Sequence, residues 1–148
     1  VVERCEPHRV VGVHILGDNA CELIHFGTTL VQGGKTLSDI LAVCYAAVTY
    51  HELFKLAARD AIATLQKDEW RELYRRLDAA GDNNGTLEAE EVRTGLEELG
   101  ADEEAIADIL KALFTGRDFR EAVGVEQFVK RAMRMRSPMQ MGLLGTCA

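Results

Sequence analysis

The segment Asp78-Ala-Ala-Gly-Asp-Asn-Asn-Gly-Thr-Leu-Glu-Ala-Glu-Glu91 constrains this chain most, because its flanks demand helices and its interior forbids one. Trp70, Leu73, Tyr74 and Leu77 recur at helical spacing before it, and Val92, Leu96 and Leu99 do so after it. Gly81, Asn83, Asn84 and Gly85 break the periodicity between them. The loop also presents oxygen donors at alternate positions around a glycine turn, which is how a loop satisfies a hard cation such as Ca²⁺. With Gly85 at loop position six, Asp82 and Asn84 fall at positions three and five. Thr86 offers its carbonyl at seven, Leu87 is the apolar residue at eight, and Glu91 is the bidentate carboxylate at twelve. Position one is Ala80, which has no side-chain oxygen. Either its carbonyl serves, or Asp78 begins a longer loop; Glu88 is a further carboxylate nearby. Ligand charge is low in both registers, so one calcium site of moderate to weak affinity is expected. The same residues also read as an acidic turn capped by its own side chains.

Helix, loop and helix with these ligand positions resemble an EF-hand. Gly100 ends the second helix, and Asp102, Glu103 and Glu104 give an acidic first turn to a third. Ile106, Ile109, Leu110, Leu113 and Phe114 form its apolar stripe; Phe128, Val129, Ala132 and Met133 form another beyond the next loop. Placing Val123 at position eight of that second loop puts Gly116, Asp118, Arg120, Glu121 and Gln127 at its ligand positions. Arginine at five and glutamine at twelve hold Ca²⁺ poorly, so the second hand reads as a partner without metal. Residues 67–136 are expected to form an all-α EF-hand pair, followed by a loose tail over 137–148.

The net charge of −7 excludes nucleic acid as an expected partner, since no basic face appears before Lys130, Arg131, Arg134 and Arg136. Those four read as cations complementing a helix C-terminus. No apolar run approaches the ~20 residues that span a bilayer. Cys5, Cys21, Cys44 and Cys147 lack a CxxC pair, which argues against zinc or a redox dithiol. Four free thiols suit an intracellular, reducing compartment.

Residues 1–66 follow a different grammar. Arg9–Leu16 is a β-branched apolar run, and Val1–Cys5 precedes it across Glu6-Pro7-His8, which punctuates a hairpin. Gly17-Asp18-Asn19 opens a helix ended by Gly33-Gly34; further helices follow from Thr36 to about Val43 and from about His51 to Leu65. The expected fold is α+β, with a truncated antiparallel sheet and helices before the EF-hand pair. Val1-Val2-Glu3 reads like the middle of a strand, so the chain reads as a fragment of something longer.

The run VVGVHILGDNACELIHFGTTLVQGGKTLSDI resembles the C-terminal dimerisation domain of the flavin-dependent pyridine nucleotide-disulfide oxidoreductases, with Gly17, Ala20 and Glu22 matching its Gly-x-x-Ala-x-Glu signature. The stretch TYHELFKLAARDAIATL is most similar to the soluble NAD(P) transhydrogenase branch. The resemblance implies a homodimer through residues 1–66 and contact with FAD and NAD domains of a parent enzyme. Disulfide-reducing members place His-Pro before Thr-x-x-Glu; aligning Thr49 and Glu52 puts Ala47 and Val48 there. Ala47 moves no proton, which favours a transhydrogenase or a catalytically silent domain. His51 reads as a helix-surface residue, and His14 and His25 as packed ones. No GxGxxG follows a strand, so FAD and NAD(P) are expected only in a parent, and this chain alone is not expected to catalyse hydride transfer. The other readings are a stand-alone EF-hand calcium-binding or interaction protein, and a structural or partner-binding four-helix unit in which both hands are metal-free.

Overall fold

The computed structural model describes residues 1–5, 7–114, 122–138 and 140–144. The chain divides into two units, Val1–Leu65 and Gln66–Ala148. Helix α3 (Glu52–Ala80) supplies residues to both.

In the first unit, α1 (Ala20–Gln32) buries Leu23, Gly27 and Leu30. The short α2 (Leu37–Ala42) begins at a capping box: Thr36 Oγ1 accepts from the Asp39 N–H at 3.1 Å, and Asp39 Oδ2 accepts from the Thr36 N–H at 2.9 Å. The backbone bond from Thr36, then its hydroxyl, hold the Asp39 carboxyl below its ordinary range. That stabilisation is present above the ordinary aspartate pKa and is lost as acid protonates the folded form. Val10, Leu30, Leu37, Ile40 and Ala58 form the core, with Phe26, Phe54 and Tyr45 packed against it.

The expected hairpin contracts. Val2 pairs with Val10 and Arg9 with Thr36 as isolated antiparallel bridges, and no longer strand occurs among the described residues. Two ribbon segments without a third strand are marginal. Val11 and Leu16 are accordingly exposed, Leu16 fully so. Among the described residues, every large apolar side chain that is exposed lies in this unit: Val1, Val11, Leu16, Val43, Val48, Tyr50, Leu53 and Leu56.

In the second unit, the end of α3 packs with α4 (Ala89–Glu98), α5 (Glu103–Leu113) and α6 (Val125–Ala132). Trp70, Leu73, Leu77, Val92, Leu96, Ile106, Ile109 and Phe128 are almost completely buried, as the helical spacing required. Phe128 lies edge-on to Trp70 and Tyr74, with ring centroids 6.0 and 5.3 Å apart. Gly100, at φ +79°, closes α4, with its N–H on the Glu97 carbonyl and the Ala101 N–H on that of Leu96. Asp102 caps α5 by accepting from the Ala105 N–H at 2.7 Å.

Two expectations need correction here. The expected loose tail over 137–148 is packed where it is described: Ser137, Pro138, Leu143 and Leu144 are buried, and both leucines join the core of the second unit, because apolar side chains gain by leaving water; residues 139 and 145–148 lie outside the described residues. Nor are there four free thiols. Cys21 and Cys44 are free and exposed, but Cys5 is disulfide-bonded; Cys147 lies outside the described residues.

Gly27 marks the tightest approach in the first unit. A Cβ there would sit 2.8 Å from Val13 Cγ1 and 3.0 Å from its Cβ. Gly27→Ala should therefore destabilise the protein by about 1–3 kcal/mol, lowering the thermal midpoint of the first unit.

Candidate functional site

The acidic loop begins while the chain is still helical, since Asp78 and Ala80 lie in the last turn of α3. Asp78 faces the loop and Ala80 does not contribute a side-chain oxygen. Asp78 Oδ1 accepts from the Gly85 N–H at 3.0 Å, spanning the loop, and the Asp78 carbonyl accepts from the Asn83 N–H at 3.0 Å. Asn83 and Gly85 have φ of 54° and 80°, the left-handed region that Asn and Gly enter at least cost.

The remaining donors are braced in the same way. Asp82 Oδ1 accepts from the Asn84 N–H at 3.2 Å, and Oδ2 from Asn84 Nδ2 at 2.6 Å. Asn84 Oδ1 accepts from the Thr86 N–H at 2.7 Å and its hydroxyl at 2.6 Å. Glu91 Oε1 accepts from the Asp82 N–H at 3.4 Å, and Oε2 from the Glu88 N–H at 2.9 Å. The Glu91 carboxylate lies so close over Gly81 that a Cβ there would be 2.5 Å from Oε1. Among the described residues, no group of three or more His, Cys, Asp or Glu side chains is gathered tightly enough to hold a metal ion.

Two contacts tie the loop to its surroundings beyond its own donors. Leu87 and Val123, both fully buried, exchange backbone hydrogen bonds of 3.0 and 2.8 Å as an antiparallel pair. Tyr74 donates its hydroxyl to the Gly85 carbonyl at 2.6 Å, fastening the turn to α3. Burial raises the Tyr74 phenol above its ordinary pKa, and the Asp78 and Glu91 carboxylates raise it further. Helical spacing identified Tyr74 only as a core residue. The second loop, with Gly116, Asp118, Arg120 and Glu121, lies outside the described residues, and Gln127 is exposed on α6.

Ala47 is exposed, and Val48 is exposed at φ 60°, a strained value for a β-branched residue. Glu52 is occupied as the acceptor for the Val48 N–H at 2.9 Å. His51 lies edge-on to Phe26 and stacks on Phe54. His14 and His25, expected to be packed, are exposed, since the strand meant to bury the first does not extend and the second lies on the outer face of α1.

Tyr74→Phe should cost about 0.5–1.5 kcal/mol in denaturant titrations near neutrality, through loss of the bond to Gly85. Because the folded phenol has a raised pKa, stability is present below the ordinary tyrosine pKa and falls as pH rises through the folded value. The Tyr74→Phe chain should therefore lose less stability than the parent above pH ~10.

Comparison with known proteins places the first unit. Residues 1–58 match the pyridine nucleotide-disulphide oxidoreductase dimerisation domain. Dihydrolipoamide dehydrogenase of Chaetomium thermophilum is 43% identical over 53 residues, covering 36% of this chain and 10% of that protein. Mitochondrial dihydrolipoyl dehydrogenase of Pisum sativum is 38% identical over 58 residues, covering 39% and 12%. The soluble pyridine nucleotide transhydrogenase of Colwellia psychrerythraea is 32% identical over 63 residues, covering 40% and 14%. The matched segment thus spans about a tenth of the length of these relatives. No solved structure matches. Residues 1–58 of this chain therefore form a domain of the pyridine nucleotide-disulphide oxidoreductase dimerisation type.

Proposed function

We propose that the first unit is the self-association part of an FAD-dependent NAD(P) oxidoreductase of the soluble transhydrogenase kind, and that the second is an EF-hand pair binding one Ca²⁺. The match of residues 1–58 to the dimerisation domain carries this reading. The exposed Leu53, Leu56, Val11 and Leu16 support it, because large apolar side chains left in water suit a surface that meets a partner. In the parent, FAD and NAD(P) are bound by domains other than this one. Ala47, standing where disulfide-reducing members hold their histidine, supports the transhydrogenase branch over the dihydrolipoamide dehydrogenases, despite the higher identities of the latter.

For calcium, the supporting observation is the pairing of Leu87 with Val123, each assigned by sequence to position eight of its loop. The reach of Asp78 to Gly85 favours the longer register, Asp78 to Glu91, over one beginning at Ala80. Asp78, Asp82, Asn84, the Thr86 carbonyl and Glu91 are a hard, all-oxygen donor set suited to Ca²⁺, with Glu88 beside them. A second reading, a metal-free helical pair, is favoured by the same hydrogen bonds: Asp82 and Glu91 already use both carboxylate oxygens on N–H groups of the loop.

Sedimentation equilibrium should show a dimer that Leu53→Glu with Leu56→Glu converts to a folded monomer. A parent chain that is monomeric at all concentrations would overturn the dimer. Calcium at about 100 times its Kd should stabilise the second unit by ~2.7 kcal/mol. Glu91→Gln should abolish most of that gain in thermal melts. A parent melting identically in calcium and in chelator would leave the metal-free reading standing.

A further inference from the structure

Asn84 is exposed, yet both ends of its side-chain amide are held. Its Oδ1 accepts from the Thr86 N–H at 2.7 Å and from the Thr86 hydroxyl at 2.6 Å. Its Nδ2 donates to Asp82 Oδ2 at 2.6 Å. The next residue, Gly85, is also exposed and has φ +80°, and a Cβ there would meet nothing within 4 Å. The Gly85 N–H donates to Asp78 Oδ1 at 3.0 Å.

These contacts converge on one reaction. When glycine follows asparagine, its backbone nitrogen can attack the side-chain carbonyl carbon and close a five-membered imide, because no side chain obstructs the ring. Two donors on Asn84 Oδ1 draw electron density from Cγ and stabilise the oxyanion formed when the nitrogen adds. The Asp78 carboxylate, by accepting the N–H, makes the attacking nitrogen more electron-rich. The other asparagines lack this arrangement. Asn19 precedes Ala20 and makes no side-chain capping bond, and Asn83 precedes Asn84, so each is followed by a residue with a Cβ. The same bonds also brace the loop, and bracing alone would slow ring closure. The two effects have opposite signs in a rate measurement.

We propose that Asn84 is a self-modification site, deamidated through attack by the Gly85 nitrogen with assistance from Thr86 and Asp78. The Gly85 nitrogen gives its proton to hydroxide and bonds to Asn84 Cγ. The Cγ–Nδ2 bond then breaks, and Nδ2 leaves as ammonia with a proton from water. Water opens the imide at either carbonyl, leaving aspartate or isoaspartate at position 84. The sum is one water consumed and one ammonia released, with no change of oxidation state. The product puts a carboxylate oxygen where Nδ2 faced Asp82, so repulsion between like charges replaces a hydrogen bond. The isoaspartate form also lengthens the backbone of the turn that Tyr74 fastens. None of this depends on whether the loop binds calcium.

The test keeps the intact chain and a synthetic peptide of residues 74–95 side by side in neutral buffer with chelator. Peptide mapping by mass spectrometry follows conversion of amide to acid at each asparagine. Asn84 should convert about tenfold or more faster in the intact chain than in the peptide, while Asn19 and Asn83 stay amides over the same interval. Thr86→Val should bring the rate down towards that of the peptide, and Thr86→Ser, which keeps the hydroxyl, should retain the parent rate. An intact chain converting no faster than the peptide would overturn the proposal, because the reactivity would then belong to the dipeptide alone. So would equal rates in the parent and in a Thr86→Val chain that melts cooperatively. If Thr86→Val does not fold, the comparison of intact chain with peptide decides.

Discussion

The reciprocal hydrogen bonds between Leu87 and Val123 are the constraint on which the second unit rests. Both residues are fully buried, so neither backbone group has water as an alternative partner. The pair fixes where the chain enters α4 and where it enters α6, and so sets which faces of those helices meet Trp70, Tyr74 and Phe128. Tyr74 adds a second tie, from α3 to the Gly85 turn. The loop is consequently ordered by its own protein groups.

That order shapes the chemistry available there. Carboxylates whose oxygens already accept N–H bonds have part of their charge stabilised, so a cation gains less by arriving than it would at bare oxygens. The Tyr74 phenol is raised first by its burial, and the Asp78 and Glu91 carboxylates add to that. In the first unit the physical situation is reversed. Its core is small, its extended segments pair only at single bridges, and its exposed leucines and valines find no cover within the unit. Large apolar side chains left in water mark a surface that suits contact with a partner, and residues 1–58 match a dimerisation domain.

Much of this was legible in the sequence, for a definite reason. Spacing of Trp70, Leu73, Leu77, Val92 and Leu96 encodes a helical face directly, and Thr36, Gly100 and Asp102 encode helix ends through purely local bonds. The Gly17, Ala20 and Glu22 pattern resembles the signature of the dimerisation domain, and residues 1–58 match that domain. The hairpin was less secure, because Val11 to Leu16 carries apolar residues on both faces and alternation gives no register.

What the sequence determined by itself was therefore local: helix positions, caps, the glycine turn and the donor types of the acidic loop, each set by neighbours within a few residues. Tertiary structure alone decided that Asp78 rather than Ala80 turns inward, that Leu87 finds Val123, and that Leu143 and Leu144 close a core formed some tens of residues earlier. Those choices depend on which buried surface is left uncovered once the helices have packed, and no local pattern carries that information.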